Sequence, residues 1–164
     1  MIKILLTALV ISLNFGTPFS SSGETVAFYD LISQDGVFYL KGTSEPFSGI
    51  IDDIHYSGRV KLGRQEGEWT TTRPDGQLLS RRYYLNGKKH GIELIYLSPG
   101  KLSSKTRWNR GKKDGFQELY HLNGELFHRT QFKKGVQDGV FESFDQNGLL
   151  IWRGFFKDGE IVAE

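Results

Sequence analysis

From about Val37 onward, apolar and polar residues alternate in short runs, and clusters such as PDG, SPG, LNG and QNG interrupt them at regular intervals. Alternation with period two puts successive side chains on opposite faces of a strand, so the pattern predicts strands joined by tight turns. The turn clusters recur on a lattice. Gly67, Gly91, Gly115 and Gly139 form one column, Gly76, Gly100, Gly124 and Gly148 a second, and Gly87, Gly111, Gly135 and Gly159 a third, each stepping by 24 residues. The second column falls where a hairpin turn needs positive φ, and the third, in LNGKKHG, NRGKKDG and KKGVQDG, where the chain reverses again into the next unit. Upstream, Gly49 and Gly58 keep the spacing of 9 that separates Gly67 from Gly76, but Gly49 to Gly67 is only 18, which predicts a shortened first unit with Gly58 at its hairpin turn.

The runs between turns carry columns of like residues. Leu78, Leu102, Leu126 and Leu150 stand two residues after the hairpin glycines, with Val60 after Gly58, and Tyr84, Trp108, Phe132 and Phe156 stand eight after them. Both offsets are even, so both columns face one side of a sheet. Ile54, Thr72, Tyr96, Tyr120 and Phe144 form a further, mostly aromatic column. A single hairpin of this size is not stable in water, whereas stacked neighbours cover one another's apolar face. The expected fold is therefore all-β, an elongated antiparallel meander of stacked β-hairpin repeats over residues 49–164, preceded by an N-terminal lead-in segment over residues 23–48.

Residues 1–22 follow a different rule. MIK gives a positive start, ILLTALVISL an apolar run, and NFGTPFSSSGE a small, polar exit. This is the pattern of a signal-peptide helix, with Ser20 and Ser22 as the small residues before a cut near Gly23. The run from Ile4 to Leu13 is about half of the roughly 20 residues that a membrane-spanning helix needs. The expected location is outside the cytoplasm, periplasmic or secreted.

Composition narrows the chemistry. The 164 residues suit one domain, and 20 Gly with 13% aromatic residues and only 4 Pro suit many turns between aromatic-rich strands. With no Cys, disulfides, thiolate metal sites and thiol nucleophiles are excluded. GRVKLGRQ at Gly58 has two glycines of a phosphate loop but lacks its Lys-Ser/Thr. His55, His90, His121 and His128 hold unrelated repeat positions, His90 standing in the column of Asp114 and Asp138, so no metal set is expected. Glu93, Glu118 and Glu142 sit on neighbouring strands, yet a single-layer meander offers no cleft for an acid and base pair, and solvated positions are expected for them. No nucleophile elbow is present either. The expectation is a protein that is not an enzyme, with no catalytic residues, no metal and no cofactor.

Charge supplies the one candidate surface. The net charge is +2, but residues 24–80 carry 5 basic against 9 acidic residues, 81–113 carry 10 against 1, and 114–164 carry 5 against 9. Lys88, Lys89, Lys112 and Lys113 occupy matching turn positions in adjacent units, and Arg110, Lys133 and Lys134 sit in the same type of turn. Equivalent turns of stacked hairpins lie about 10 Å apart, so these seven residues form an expected basic strip along one edge. Its expected partners are an acidic protein, anionic lipid or envelope polysaccharide; nucleic acid is not expected, since no reading motif for it is present. Trp69 and Trp152 are candidate contact aromatics, and Trp108 belongs to the buried ladder.

The lattice resembles the MORN (membrane occupation and recognition nexus) repeat, in particular the bacterial variant found in antitoxin-like proteins. The residues that carry the resemblance are GIELIYLSPGKLSSKTRWNRGKKDG and GFQELYHLNGELFHRTQFKKGVQDG, with VFYLKGTSEPFSG as a first repeat, and it extends from about Val37 to Glu160. The resemblance implies membrane or lipid association, protein scaffolding or, for the bacterial variant, an antitoxin role. Two functions follow as expectations: a non-catalytic exported repeat module that binds a protein or envelope component, or an antitoxin or immunity-like protein that neutralises a toxin by the same surface.

Overall fold

A computed structural model describes residues 23–162 of the chain, and 68% of these described residues are strand. The expected signal segment lies outside the described residues. In the lead-in segment a short strand β1 (Glu24–Val26) precedes a single 3-10 turn and the hairpin β2 (Leu31–Gln34) and β3 (Val37–Leu40). The meander then runs through β4 (Gly49–Asp52), β5 (Tyr56–Lys61), β6 (Arg64–Thr72), β7 (Leu78–Leu85), β8 (Lys88–Lys89) and β9 (Gly91–Ser98). It continues as β10 (Lys101–Asn109), β11 (Lys112–Tyr120), β12 (Leu126–Lys133), β13 (Val136–Phe144), β14 (Leu150–Lys157) and β15 (Glu160–Val162). Among the described residues these strands make one 13-stranded sheet in chain order, with β1 added parallel to β4 at one end and β2–β3 as a separate two-stranded sheet. The all-β meander of stacked hairpins expected from the lattice is the observed architecture.

Cross-strand register shows how the columns become faces. One row runs Trp69, Arg82, Glu93, Thr106, Gln117, Thr130, Phe141 and Gly154 across successive strands. Tyr84, Trp108, Phe132 and Phe156 share that side, opposite Gly67, Gly91, Gly115 and Gly139 of the preceding strand, so this is the aromatic face. The first glycine column is therefore not a turn column. Gly115, at φ 111, sits in the bulge that shifts register between Thr106 and Trp108, where β11 carries extra residues against β10.

The apolar core is confined to the start of the sheet. Val26, Leu31, Phe47, Ile51, Val60 and Trp69 form the buried cluster, with Phe28, Phe38, Leu40 and Tyr84 packed against it. The lead-in segment thus caps the aromatic face where the repeats begin. Two expectations are corrected in this region. Gly58 is not at a turn but inside β5, paired with Trp69, and a Cβ on it would collide with that indole. The turn before it is made by Asp53, whose Oδ1 accepts the His55 and Tyr56 N–H at 2.8 Å each while Oδ2 accepts the Phe28 N–H at 2.8 Å. Ile54 consequently belongs to that turn, 80% exposed, and not to the aromatic column.

Candidate functional site: the cationic turn edge

The two long edges of the sheet are built differently. On one, the links Arg73–Gly76, Ser98–Lys101 and His121–Gly124 are each tied to the next unit by side chains, the last link in the series being Asp145–Gly148. Arg73 donates to the Tyr96 and Leu97 carbonyls at 2.6 and 2.9 Å, and Asn123 Nδ2 donates to the Gln146 carbonyl at 2.6 Å. The other edge is formed by two-residue turns in which both residues have positive φ: Leu62–Gly63 (48 and 73), Asn86–Gly87 (50 and 74), Arg110–Gly111 (49 and 86), Lys134–Gly135 (52 and 95) and Asp158–Gly159 (50 and 91). That geometry matches the strand twist and is easiest for glycine at the second position.

Backbone hydrogen bonds link these turns into a continuous edge. Gly87 N–H donates to the Gln65 carbonyl at 2.9 Å, Gly111 to Lys89 at 2.8 Å, Gly135 to Lys113 at 2.8 Å and Gly159 to Gln137 at 2.9 Å. Each glycine lies over the side chain that follows the turn glycine of the unit before: a Cβ on Gly111 would be 3.7 Å from Lys88 Cβ, and one on Gly135 would be 3.7 Å from Lys112 Cβ. The stems of Lys88 and Lys112 are thereby held against the next turn, and their ammonium groups point into solvent from a rigid base.

The expected basic strip divides into two sets. Lys88, Arg110, Lys112, Lys133 and Lys134 are exposed, and among the described residues none is within ion-pair distance of a carboxylate. Lys89 and Lys113 point the other way, onto the aromatic face. Lys89 Nζ is 2.7 Å from Glu93 Oε1 and 4.5 Å from the Trp108 ring centroid, and Lys113 Nζ is 2.8 Å from Gln117 Oε1 and 4.6 Å from the Phe132 ring centroid. Burial pushes the Lys113 ammonium below the ordinary lysine range, with Glu93 opposing and Lys89 adding to the shift. The split follows from strand alternation, because adjacent residues after a turn must face opposite ways.

The carboxylates expected on solvated faces are partly interior. Glu93, 5% exposed, receives Arg82, Lys89 and the Trp108 indole. Glu142, 1% exposed and on the opposite face, is held between Arg129 Nε at 2.7 Å and Arg153 Nε at 2.9 Å. Glu118 shares that opposite face and pairs with Lys105 at 3.1 Å. Each acid is neutralised in place, and Glu93 does not approach the other two.

The candidate contact aromatics also part company. Trp69 is 5% exposed, inside the core cluster, with its indole N–H on the Arg59 carbonyl at 3.0 Å, so it offers no contact surface. Trp152 is 45% exposed and packs on Phe141 at 5.2 Å between centroids. Trp108 lies in the aromatic ladder but is only half-buried and stands outside the core cluster. His90, Asp114 and Asp138 line one shallow groove with Arg107 and Lys133, but Asp114 accepts Asn109 at 3.1 Å and Asp138 accepts Lys157 at 2.9 Å. Among the described residues no three His, Asp or Glu side chains are grouped to hold a metal, and no helix is long and apolar enough to cross a membrane.

Two functional candidates escaped the sequence reading. Lys61 and Arg64 flank the Leu62–Gly63 turn and are exposed, in the same setting as Lys133 and Lys112. The signal that could have found them was Gly63, which stands 24 residues before Gly87 and extends the third glycine column by one unit. Fold and edge together define an all-β hairpin-repeat protein with one cationic rim. No protein-family model matches the chain, and no curated protein matches it.

Proposed function

We propose that this is a non-catalytic repeat module, exported from the cytoplasm, that binds an anionic partner or envelope component along the turn edge. The observation that supports it is the set of exposed, unpaired cations on turns locked to one another by backbone hydrogen bonds. Such an edge presents fixed positive charge without the entropy cost of ordering a loop, and its reach in solution is set by a Debye length of about 8 Å at physiological salt. The resemblance to MORN repeats, with their membrane and scaffolding roles, is in keeping with a binding edge, and the N-terminal pattern is in keeping with export.

The test is sedimentation of the mature protein with an envelope fraction at low and at physiological salt, comparing wild type with a variant carrying Lys88→Glu, Arg110→Glu, Lys112→Glu and Lys134→Glu. Wild type is expected to sediment with the fraction, less so as salt rises, and the variant to remain in solution with an unchanged melting temperature. Equal sedimentation of the two proteins at both salt concentrations would overturn the proposal.

A further inference from the structure

Resting on that reading, we propose that the partner is a linear anionic polysaccharide laid along four successive turns, and that Lys61 and Arg64, on the first of them, belong to the binding site.

The first turn repeats the geometry of the others on the side that faces the second turn, while its other side is covered by the lead-in segment, where the Gly63 N–H donates to the Phe47 carbonyl at 2.7 Å and its carbonyl accepts the Phe38 N–H at 2.8 Å. Leu62 and Gly63 have the same pair of positive φ values as Asn86 and Gly87, and the Gly87 N–H bond to Gln65 ties the first turn to the second as Gly111 and Gly135 tie the later ones. A Cβ on Gly87 would lie 3.5 Å from Arg64 Cβ, the relationship that Lys88 and Lys112 have to Gly111 and Gly135. Arg64, Lys88 and Lys112 are therefore one column of cations, each braced by the next turn. Lys61 and Lys133 likewise hold one repeat position at the two ends of the set.

Cations outnumber acids along this stretch. Glu66 accepts the Asn86 N–H of the second turn at 2.9 Å and Asp114 accepts Asn109 at 3.1 Å, both keeping their charge, while Asp138 is paired with Lys157 at 2.9 Å. Lys61, Arg64, Lys88, Arg110, Lys112, Lys133 and Lys134 remain exposed. At the fifth turn the sign changes, with Asp158 in the turn and Glu160 in the column of Arg64, Lys88 and Lys112, so the site has a definite end.

Shape selects the ligand. Two strands per unit at about 4.8 Å each separate successive turns by about 10 Å, so four turns extend about 30 Å, longer than any single headgroup. Neighbouring strands also rotate by roughly 20–25°, so each turn is rotated by roughly 40–50° from the one before and four turns do not share a plane. A flat bilayer meets one or two of them. A flexible chain with charges at intervals follows the winding edge and meets all four, each added contact raising the effective concentration for the next. The exposed Asn86 amide on the second turn offers a hydrogen-bond partner to sugar hydroxyls.

The experiment titrates the mature protein with uronic-acid oligosaccharides of increasing length and, in a separate arm, with anionic lipid vesicles, at several salt concentrations. Affinity is expected to rise with oligosaccharide length and then level off. In a Lys61→Gln/Arg64→Gln variant it should level off at a shorter length, with the slope of log affinity against log salt reduced by about 1 to 2. Circular dichroism melting establishes that the variant is folded. Identical curves for variant and wild type would remove Lys61 and Arg64 from the site. Equal affinity for short and long oligosaccharides, or binding to vesicles alone, would overturn the linear polysaccharide. A Lys88→Gln/Arg110→Gln/Lys112→Gln variant that binds as wild type would instead overturn the underlying reading of the edge.

Discussion

Trp108, on β10, donates its indole N–H to Glu93 Oε2 on β9 at 2.9 Å, while Lys89 and Arg82 each reach Glu93 Oε1 at 2.7 Å. One buried acid thus organises an aromatic of the ladder and two cations of the basic central segment. Two adjacent lysines consequently do different work. Lys88 belongs to the rim, and Lys89 belongs to the packing of the aromatic face.

Charge reversal separates these roles. Lys89→Glu places a second carboxylate beside a buried one and is expected to destabilise the fold by on the order of 2 kcal/mol, discounted for the partial exposure of Lys89. Lys88→Glu should change stability by less than about 0.5 kcal/mol. Urea unfolding midpoints of the two variants provide the comparison, and equal midpoints would contradict the Glu93 arrangement.

Acid should loosen the sheet through the same acids. Burial raises the Glu93 carboxyl, but hydrogen bonds from Lys89 and Arg82 outweigh it and leave the group below the ordinary glutamate range; Glu142 is likewise lowered, burial being outweighed by Arg129 and Arg153. The unfolded chain therefore binds protons at a higher pH than the folded one. Stability contributed by these groups is complete above the ordinary glutamate value of about 4.3 and is lost as pH falls through the lowered folded values. Thermal melts between pH 7 and 3 should show a plateau and then a decline, and Glu142→Gln should make that decline shallower.

Two glycines that look alike in sequence should respond differently. Gly58→Ala forces a Cβ against Trp69 in the core and is expected to cost about 1–3 kcal/mol by overpacking. Gly124 has φ 96, and a Cβ on it would meet nothing within 4 Å, so Gly124→Val should cost about 1–3 kcal/mol through backbone strain alone. In a Trp69→Leu background, itself destabilised, the further cost of Gly58→Ala should be smaller than in wild type and that of Gly124→Val unchanged. Melting temperatures of the single and double variants decide it.

Export predicts a mature N-terminus near Gly23, immediately before β1 begins its pairing with β4 at Glu24 and Gly49. Mass spectrometry of the protein from its host should find that terminus. A chain retaining Met1 in the soluble cytosol would refute export.

Much of this protein is legible in its sequence, because a repeat states each local rule several times. The step of 24 between glycines such as Gly87, Gly111 and Gly135, and the even offsets of Leu102 and Trp108 from Gly100, determined the hairpin meander and the side on which the aromatic ladder lies. These are consequences of φ preference and of the two-residue period of a strand, both local. Tertiary structure alone decided what depends on neighbouring strands. It placed Gly58 under Trp69, since the spacing that imitates a turn says nothing about which residue lies across the sheet. It drew Lys89 and Lys113 onto the aromatic face and left Lys88 and Lys112 on the rim, because alternation separates them but only the positions of Glu93, Trp108, Gln117 and Phe132 give the inward pair partners. It also joined the turn of Lys61 and Arg64, which the step from Gly63 to Gly87 places on the lattice, into one rim with the later turns, since the edge is formed by hydrogen bonds between units and not within them.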